Sequence, residues 1–126
     1  MLLNRDPSEA YRRVDFDARV KGADSRQLVD LCLEQVAGSI GRAIHAAGTG
    51  DNGARSRALT RAVAALTALQ LGVDPDAPTG EALLQLYQSA RTAMLDSVLR
   101  FDPARLDQIR QDFIEIRAAM LGATPA

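Results

Sequence analysis

The sequence is poor in the residue types that build most enzyme sites. Its 126 residues include one histidine, one cysteine and no tryptophan, and only 4% are aromatic. General acid–base and nucleophilic catalysis draw mainly on histidine, cysteine and clustered carboxylates. A chain with so few of these residues is expected to bind a partner rather than to transform a substrate. We therefore predict no enzyme activity, no catalytic residue, no metal and no cofactor.

Three further absences narrow the class of protein. The single cysteine, Cys32, cannot form an internal disulfide, and a lone thiol suits a reducing compartment. No apolar run approaches the roughly 20 residues of a membrane span, and the first residues turn polar without a secretory apolar region. Basic and acidic residues, 15 and 16 in number, leave a net charge of -1, which gives no field that attracts nucleic acid. We expect a cytoplasmic protein without nucleic-acid binding or membrane insertion.

The chain is rich in helical hydrophobic periodicity, which runs along almost its whole length. Four long periodic segments with short connections predict neighbouring helices that run antiparallel. The predicted fold class is all-α, an antiparallel up-down four-helix bundle over residues 24–122, with residues 1–23 as a short arm or helix that caps it. The predicted helices cover about residues 25–47, 53–71, 80–101 and 103–121.

The helix boundaries are predicted from capping and turn residues. Asp24 and Gln27 have the spacing of a capping box before the first long helix. Gly48 is expected to end that helix in the left-handed conformation. Thr79 is a suitable N-cap for the third helix, and Asp102 followed by proline is the preferred order at the start of the fourth.

Two of the predicted helices carry unusually wide apolar faces. At about 100° per residue, the apolar residues of the first and third helices spread over about 220° and 240°, against about 120° for the second. Either these two helices lie more centrally in the bundle, or part of their apolar surface is left for a partner. The arm around Tyr11 to Val20 is apolar enough to cover such a surface and polar enough to leave it, and a short fifth helix packed across the bundle is the alternative.

Signals for chemistry are weak throughout the sequence. His45 is the only imidazole, and a phosphate-accepting histidine on a four-helix domain usually has a lysine shortly after it, which is missing here. A solvated histidine near a helix C-terminus is the simpler interpretation. The residue three before His45 is Arg42, so the Glu-x-x-His pairs of di-iron bundles do not occur. Cys32 occupies an apolar position of the first helix and is expected to act as a small buried hydrophobe.

The order of several short segments resembles the FliS-type flagellar export chaperones. Leu83-Leu84-Gln85-Leu86-Tyr87 is similar to the family's Leu-x-x-Leu-Tyr in the third helix, and residues 116–120 are similar to its closing Leu-Arg-x-Ala-Trp. Residues 20–33 resemble the family's entry into the first helix, residues 57–69 its second helix, and Ala10-Tyr11 its N-terminal Ala-Tyr. The resemblance covers roughly residues 10–121.

The resemblance implies a cytoplasmic chaperone with an antiparallel four-helix fold and an N-terminal cap. Such a protein binds the C-terminal segment of flagellin, prevents its premature polymerisation and passes it to the flagellar export gate. Combined with the wide apolar faces, this suggests that an amphipathic client segment lies in grooves between helices. The candidate contact residues are Tyr11, Val20, Leu28, Cys32, Tyr87 and Met94.

Two other classes of function stay open at this point. One is a phosphotransfer domain that uses His45. The other is a structural or dimerising bundle, in which the wide faces pair with a second copy. We expect the chain itself to be a monomer or a weak homodimer.

Overall fold

A computed structural model describes residue 22 and residues 24–122, and this part of the chain folds into four α-helices and contains no strand. The all-α class predicted from the periodicity is thereby confirmed. The helices are α1 (Ser25–Gly48), α2 (Asn52–Gly72), α3 (Gly80–Leu99) and α4 (Pro103–Gly122).

The four helices form an up-down bundle in which the contacts between helices are unevenly distributed. α2 packs along α1, α3 along α2, and α4 returns to pack along α1, while α3 and α4 approach each other closely at only a few positions. Short turns join the consecutive helices, so adjacent helices run antiparallel. α1 therefore has two close neighbours, whereas α3 has one.

This asymmetry separates the two wide apolar faces. On α1, Leu33, Val36 and Ile40 are at most 1% exposed, because α2 and α4 cover them from both sides. On α3, Leu95 and Leu99 stay exposed. A central position explains the wide face of α1, and the surplus apolar surface belongs to α3.

The core lies along the bundle axis and is contributed by all four helices. Tyr87 of α3 and Phe113 of α4 are its largest fully buried side chains, with ring centroids 6.0 Å apart and planes tilted by 35°. Burying a side chain of this size stabilises the fold by about 1.5–3 kcal/mol. Ala43 of α1 and Ala62 of α2 are fully buried. Because their side chains are small, the backbones of α1 and α2 can approach each other closely.

The start of α1 agrees with the sequence, but its end does not. Asp24 Oδ1 accepts a hydrogen bond from the Gln27 N–H (2.8 Å), and Gln27 Oε1 accepts one from the Asp24 N–H (3.0 Å), so the capping box is confirmed. The prediction that Gly48 ends the helix in the left-handed conformation is wrong. Gly48 is the last helical residue, and Gly50 takes the positive φ of 76°.

Hydrogen bonds in the turn explain why the left-handed residue comes later. The Asp51 N–H donates to the Ala46 carbonyl (2.9 Å) and the Gly50 N–H donates to the Ala47 carbonyl (3.2 Å). This pattern is a Schellman motif, which requires the residue before Asp51 to be left-handed. Asp51 then caps α2, since its Oδ1 accepts from the Ala54 N–H at 2.9 Å.

The ends of α3 also differ in detail from the expectation. Thr79 occupies the N-cap position, but its side chain makes no capping hydrogen bond. The helix ends at Leu99 instead of near residue 101, because Arg100 has an extended backbone conformation. Asp102 caps α4 as expected, with Oδ1 accepting from the Arg105 N–H at 3.1 Å.

Candidate partner-binding site

An apolar cavity opens at the end of the bundle where α1 and α3 begin and α2 and α4 end. Its volume is about 410 Å³, and we call it the basal cavity. All four helices and the α2–α3 linker contribute to it. Its lining residues are Arg26, Val29, Asp30, Leu33, Leu69, Gly72, Val73, Asp74, Ala77, Thr79, Gly80, Leu83, Tyr87, Met120 and Leu121.

The linker of residues 73–79 forms one wall of the basal cavity. It folds back on itself, since the Asp74 carbonyl accepts from the Ala77 N–H (3.1 Å) and the Ala77 carbonyl accepts from the Gly80 N–H (2.9 Å). The linker backbone thereby lies directly against the first residue of α3. A Cβ atom at Gly80 would overlap the Asp74 carbonyl oxygen, so this close approach requires glycine.

The floor and walls of the basal cavity are almost entirely apolar. Leu33 and Tyr87 are each 1% exposed and form the floor, while the half-buried Val29, Leu83 and Met120 stand around it. Burial raises the pKa of the Tyr87 phenol above its ordinary value, with a smaller contribution from Cys32. Tyr87 is therefore an uncharged phenol near neutral pH, and the floor carries no charge.

Charged residues of both signs surround the mouth of the basal cavity. Arg26, Asp30 and Asp74 contribute to its lining. Asp30 is fixed by Arg117 of α4, whose Nε donates to Asp30 Oδ1 at 2.6 Å and whose Nη2 donates to Oδ2 at 3.1 Å. Hydrogen bonding to Asp30 raises the pKa of Arg117 further above its already high value. An apolar floor with a charged rim suits an amphipathic segment, whose apolar side enters while its polar side stays in water.

The candidate contact residues from the sequence are spread over several environments. Tyr87 lines the basal cavity. Cys32 and Met94 lie in the bundle core, with Met94 fully buried, and burial raises the pKa of the Cys32 thiol. Leu28 is half-buried and does not line this cavity. Tyr11 and Val20, together with the predicted cap, lie outside the described residues.

The sequence also holds a signal for cavity residues that are not among the candidate contacts. Val29 and Leu33 lie one turn apart near the start of α1, and Leu83 and Tyr87 have the same spacing near the start of α3. In an up-down bundle the first and third helices begin at the same end. The two pairs therefore meet at that end, beside a linker whose prolines prevent a tight helical turn.

His45 is exposed in the last turn of α1. Within residues 24–122, no three His, Cys, Asp or Glu side chains are grouped so that they could hold a metal ion. None of the helices in that range combines the length and the apolar character that a membrane crossing requires.

The described part of the chain is a four-helix bundle with an open, largely apolar cavity at one end. Residues 7–125 match the protein family described as "Flagellar protein FliS". Since the match spans nearly the whole chain, the protein belongs to the FliS family and is a FliS-type flagellar chaperone, as the resemblance implied. A comparison with curated proteins finds no match.

Proposed function

We propose that this protein is a cytoplasmic chaperone that binds the C-terminal segment of flagellin, prevents its premature polymerisation and assists its export through the flagellar secretion apparatus. Its membership of the FliS family supports this function. The structural observation that carries the proposal is the basal cavity, an open and largely apolar space of about 410 Å³. Transfer of the client to the flagellar export gate belongs to the same proposal.

The proposed mode of binding is insertion of apolar side chains from one amphipathic segment. The volume of the basal cavity falls within the range of about 300–1,000 Å³ typical of ligand sites, so it accommodates several apolar side chains. A flagellin segment that is disordered before binding loses conformational entropy when it docks, and burial of its apolar side chains offsets that loss. While bound, those side chains are withheld from contacts with other flagellin subunits.

We assign the client contacts to Val29, Leu83, Tyr87 and Met120. Leu83 and Met120 are accessible without a change in the bundle, because they are half-buried around the opening. Tyr87 offers an apolar ring at the floor of the cavity. Contacts from Tyr11, Val20, Leu28, Cys32 and Met94 stay predictions.

The experiment that tests the proposal is calorimetric titration of the full chain with a flagellin C-terminal segment. Leu83→Glu places a charge in the apolar wall, and we expect it to weaken binding by about tenfold or more. Gln85→Glu is the matched control, since Gln85 is exposed on the same helix and does not line the basal cavity. Circular dichroism of both variants checks that they keep their helical content.

The possible results separate the site from the function. Full affinity in a folded Leu83→Glu variant would exclude the basal cavity as the client site. Failure of the unmodified chain to bind the segment would overturn the flagellin proposal itself.

A further inference from the structure

The charges of the bundle are divided unevenly between its two ends, although the whole chain has a net charge of only -1. We divide each helix at its midpoint and group the connecting residues with the nearer end. Within residues 24–122, the half that contains the basal cavity carries seven carboxylates and two arginines, a net charge of -5. The opposite half carries five carboxylates and eight arginines, a net charge of +3. A segment that enters the basal cavity therefore approaches it through a negative field.

One side of the basal cavity concentrates this negative charge. Asp74 contributes to the cavity lining, Asp76 follows in the same linker, and Glu81 lies in the first turn of α3. We call these three residues the acidic wall. All three are exposed, and none of them forms an ion pair with a residue of the described range. No lysine, arginine or histidine occurs in residues 62–90, so the segment that contains the acidic wall supplies no positive charge of its own.

The backbone that carries the acidic wall is folded against the bundle. Asp74 Oδ1 accepts a hydrogen bond from the Asp76 N–H at 2.9 Å. The Gly80 N–H donates to the Ala77 carbonyl at 2.9 Å and thereby joins the linker to the start of α3. The carboxylates are thus held beside the cavity before a client arrives, which lowers the entropy cost of binding one.

The α1 side of the basal cavity has a different charge. Arg26 contributes a positive charge to the lining. Asp30 also lines the cavity, but Arg117 binds its carboxylate and that of Glu34. Carboxylates and arginines therefore accompany each other on this side, and the negative excess of the cavity lining belongs to the linker side.

We propose that the basal cavity and the acidic wall together recognise a client segment whose apolar face is flanked by lysine or arginine side chains. This inference rests on the proposed function, because the occupant is the flagellin segment that the cavity binds. The apolar side chains enter the cavity, while the basic side chains stay in water at its mouth and lie against the acidic wall. Such charge complementarity speeds the encounter and favours basic over acidic segments with the same apolar pattern.

Calorimetric titration with the flagellin C-terminal segment tests the role of the acidic wall in the full chain. We expect the double variant Asp76→Asn/Glu81→Gln to bind the segment about fivefold more weakly at low ionic strength. The difference should shrink in 1 M salt, where the screening length is about 3 Å. Asp96→Asn is the matched control, since Asp96 is an exposed carboxylate in the opposite half of α3 and does not line the basal cavity.

The results of this titration separate the inference from the proposed function. Equal affinity of the double variant and the unmodified chain would overturn the acidic wall as a recognition element and leave the flagellin proposal intact. An equal loss in Asp96→Asn would overturn it as well, because the effect would then come from the net charge of the protein. Failure of the unmodified chain to bind the segment would overturn the flagellin proposal.

Two synthetic peptides test the same recognition independently of flagellin. Both have leucines along one face of a helix, and the remaining positions are lysine in one peptide and glutamate in the other. We expect the lysine peptide to bind the full chain about tenfold more tightly or better. We also expect Leu83→Gln, which shortens the apolar wall without adding a charge, to weaken its binding. Equal binding of the two peptides would overturn the inference, and so would lysine-peptide binding that is unchanged by Leu83→Gln.

The chain itself contains another basic segment that could face the acidic wall. Residues 11–21 carry four basic and two acidic side chains. If this segment competed with the client for the acidic wall, neutralising the wall would release the competitor and strengthen client binding. A gain in affinity in Asp76→Asn/Glu81→Gln would therefore assign the acidic wall to the chain's own segment and overturn the inference.

Discussion

Arg117 links the last turns of α4 to the first turns of α1 through a bidentate ion pair with Asp30. Its Nε and Nη2 atoms donate to the two carboxylate oxygens of Asp30 at 2.6 and 3.1 Å, and Nη2 also donates to Glu34 Oε2 at 3.2 Å. Both side chains of the Arg117–Asp30 pair are about one-third exposed. The pair therefore holds Asp30 in place in the lining of the basal cavity. Because both side chains are partly exposed, water screens the ion pair and reduces its contribution to the stability of the fold.

Arg117→Lys is predicted to destabilise the bundle although the charge is kept. Lysine offers a single ammonium group and cannot make the two parallel hydrogen bonds of a guanidinium. We expect the free energy of unfolding in urea to fall by about 0.5–1 kcal/mol. Arg110→Lys is the control, because Arg110 pairs with Asp107 at 2.8 Å within the same helix, a local pair worth about 0.2–0.5 kcal/mol. Equal losses in the two variants would mean that the link between helices adds nothing.

The turn after α1 gives a prediction in which two nearby glycines behave oppositely. Gly50 has a φ of 76°, and a Cβ in this left-handed conformation costs about 1–2 kcal/mol. Gly48 is helical and has no neighbouring atom within reach of an added Cβ, and alanine favours a helix over glycine by up to about 1 kcal/mol. Gly50→Ala should therefore lower the thermal midpoint, while Gly48→Ala should leave it equal or raise it. The reverse order would contradict the assigned turn.

These two glycines also show what the sequence alone could determine. The number, order and approximate extent of the helices follow from local hydrophobic periodicity and from caps such as Asp24, which act within a few residues. The choice between Gly48 and Gly50 depends instead on which carbonyl the Asp51 N–H reaches, and that depends on the path of the whole turn. Both positions are glycine and both can adopt the left-handed conformation, so residue type alone cannot decide between them.

The candidate site was less predictable from the sequence than the helices, because it also depends on how the helices pack. A wide apolar face marks a helix that either lies centrally or keeps surplus apolar surface, and it does not say which of its residues a neighbouring helix covers. Met94 and Tyr87 were both candidates in the sequence, with Tyr87 preferred because a tyrosine offers apolar area and a hydroxyl. Only Tyr87 lines the basal cavity, because the cavity forms at the end of the bundle beside the linker. That distinction arises from the packing of all four helices.

Gly80→Ala is predicted to be among the most damaging single-methyl changes in the described chain. The added Cβ would overlap the backbone carbonyl of Asp74, and backbone cannot move aside as the end of a flexible side chain can. We expect a loss of about 2 kcal/mol or more in unfolding free energy. Gly72→Ala is the control, since an added Cβ there meets nothing. A stable Gly80→Ala variant would show that the linker can leave α3 without cost.

Alkaline pH is predicted to destabilise the fold through Cys32. Burial raises the thiol pKa above its ordinary value of 9.0, so the unfolded chain loses this proton at a lower pH than the folded chain does. The contribution of the neutral thiol is complete below the unfolded pKa and is lost as pH rises through the folded pKa. Unfolding free energies in urea should thus fall above about pH 9, with a shallower slope in Cys32→Ala. Tyr87, whose ordinary pKa is 10.0, adds a further fall at higher pH in both proteins.

Labelling with a thiol reagent checks the same burial independently. Cys32 is 9% exposed and belongs to the core cluster, and the thiolate that reacts with such reagents is scarce when the pKa is raised. Labelling at neutral pH should therefore be slow in buffer and fast in denaturing urea. Fast labelling of the folded chain would mean that the core between α1 and its neighbours opens readily. In that case the pH dependence of stability would be weak as well, because an open thiol ionises alike in both states.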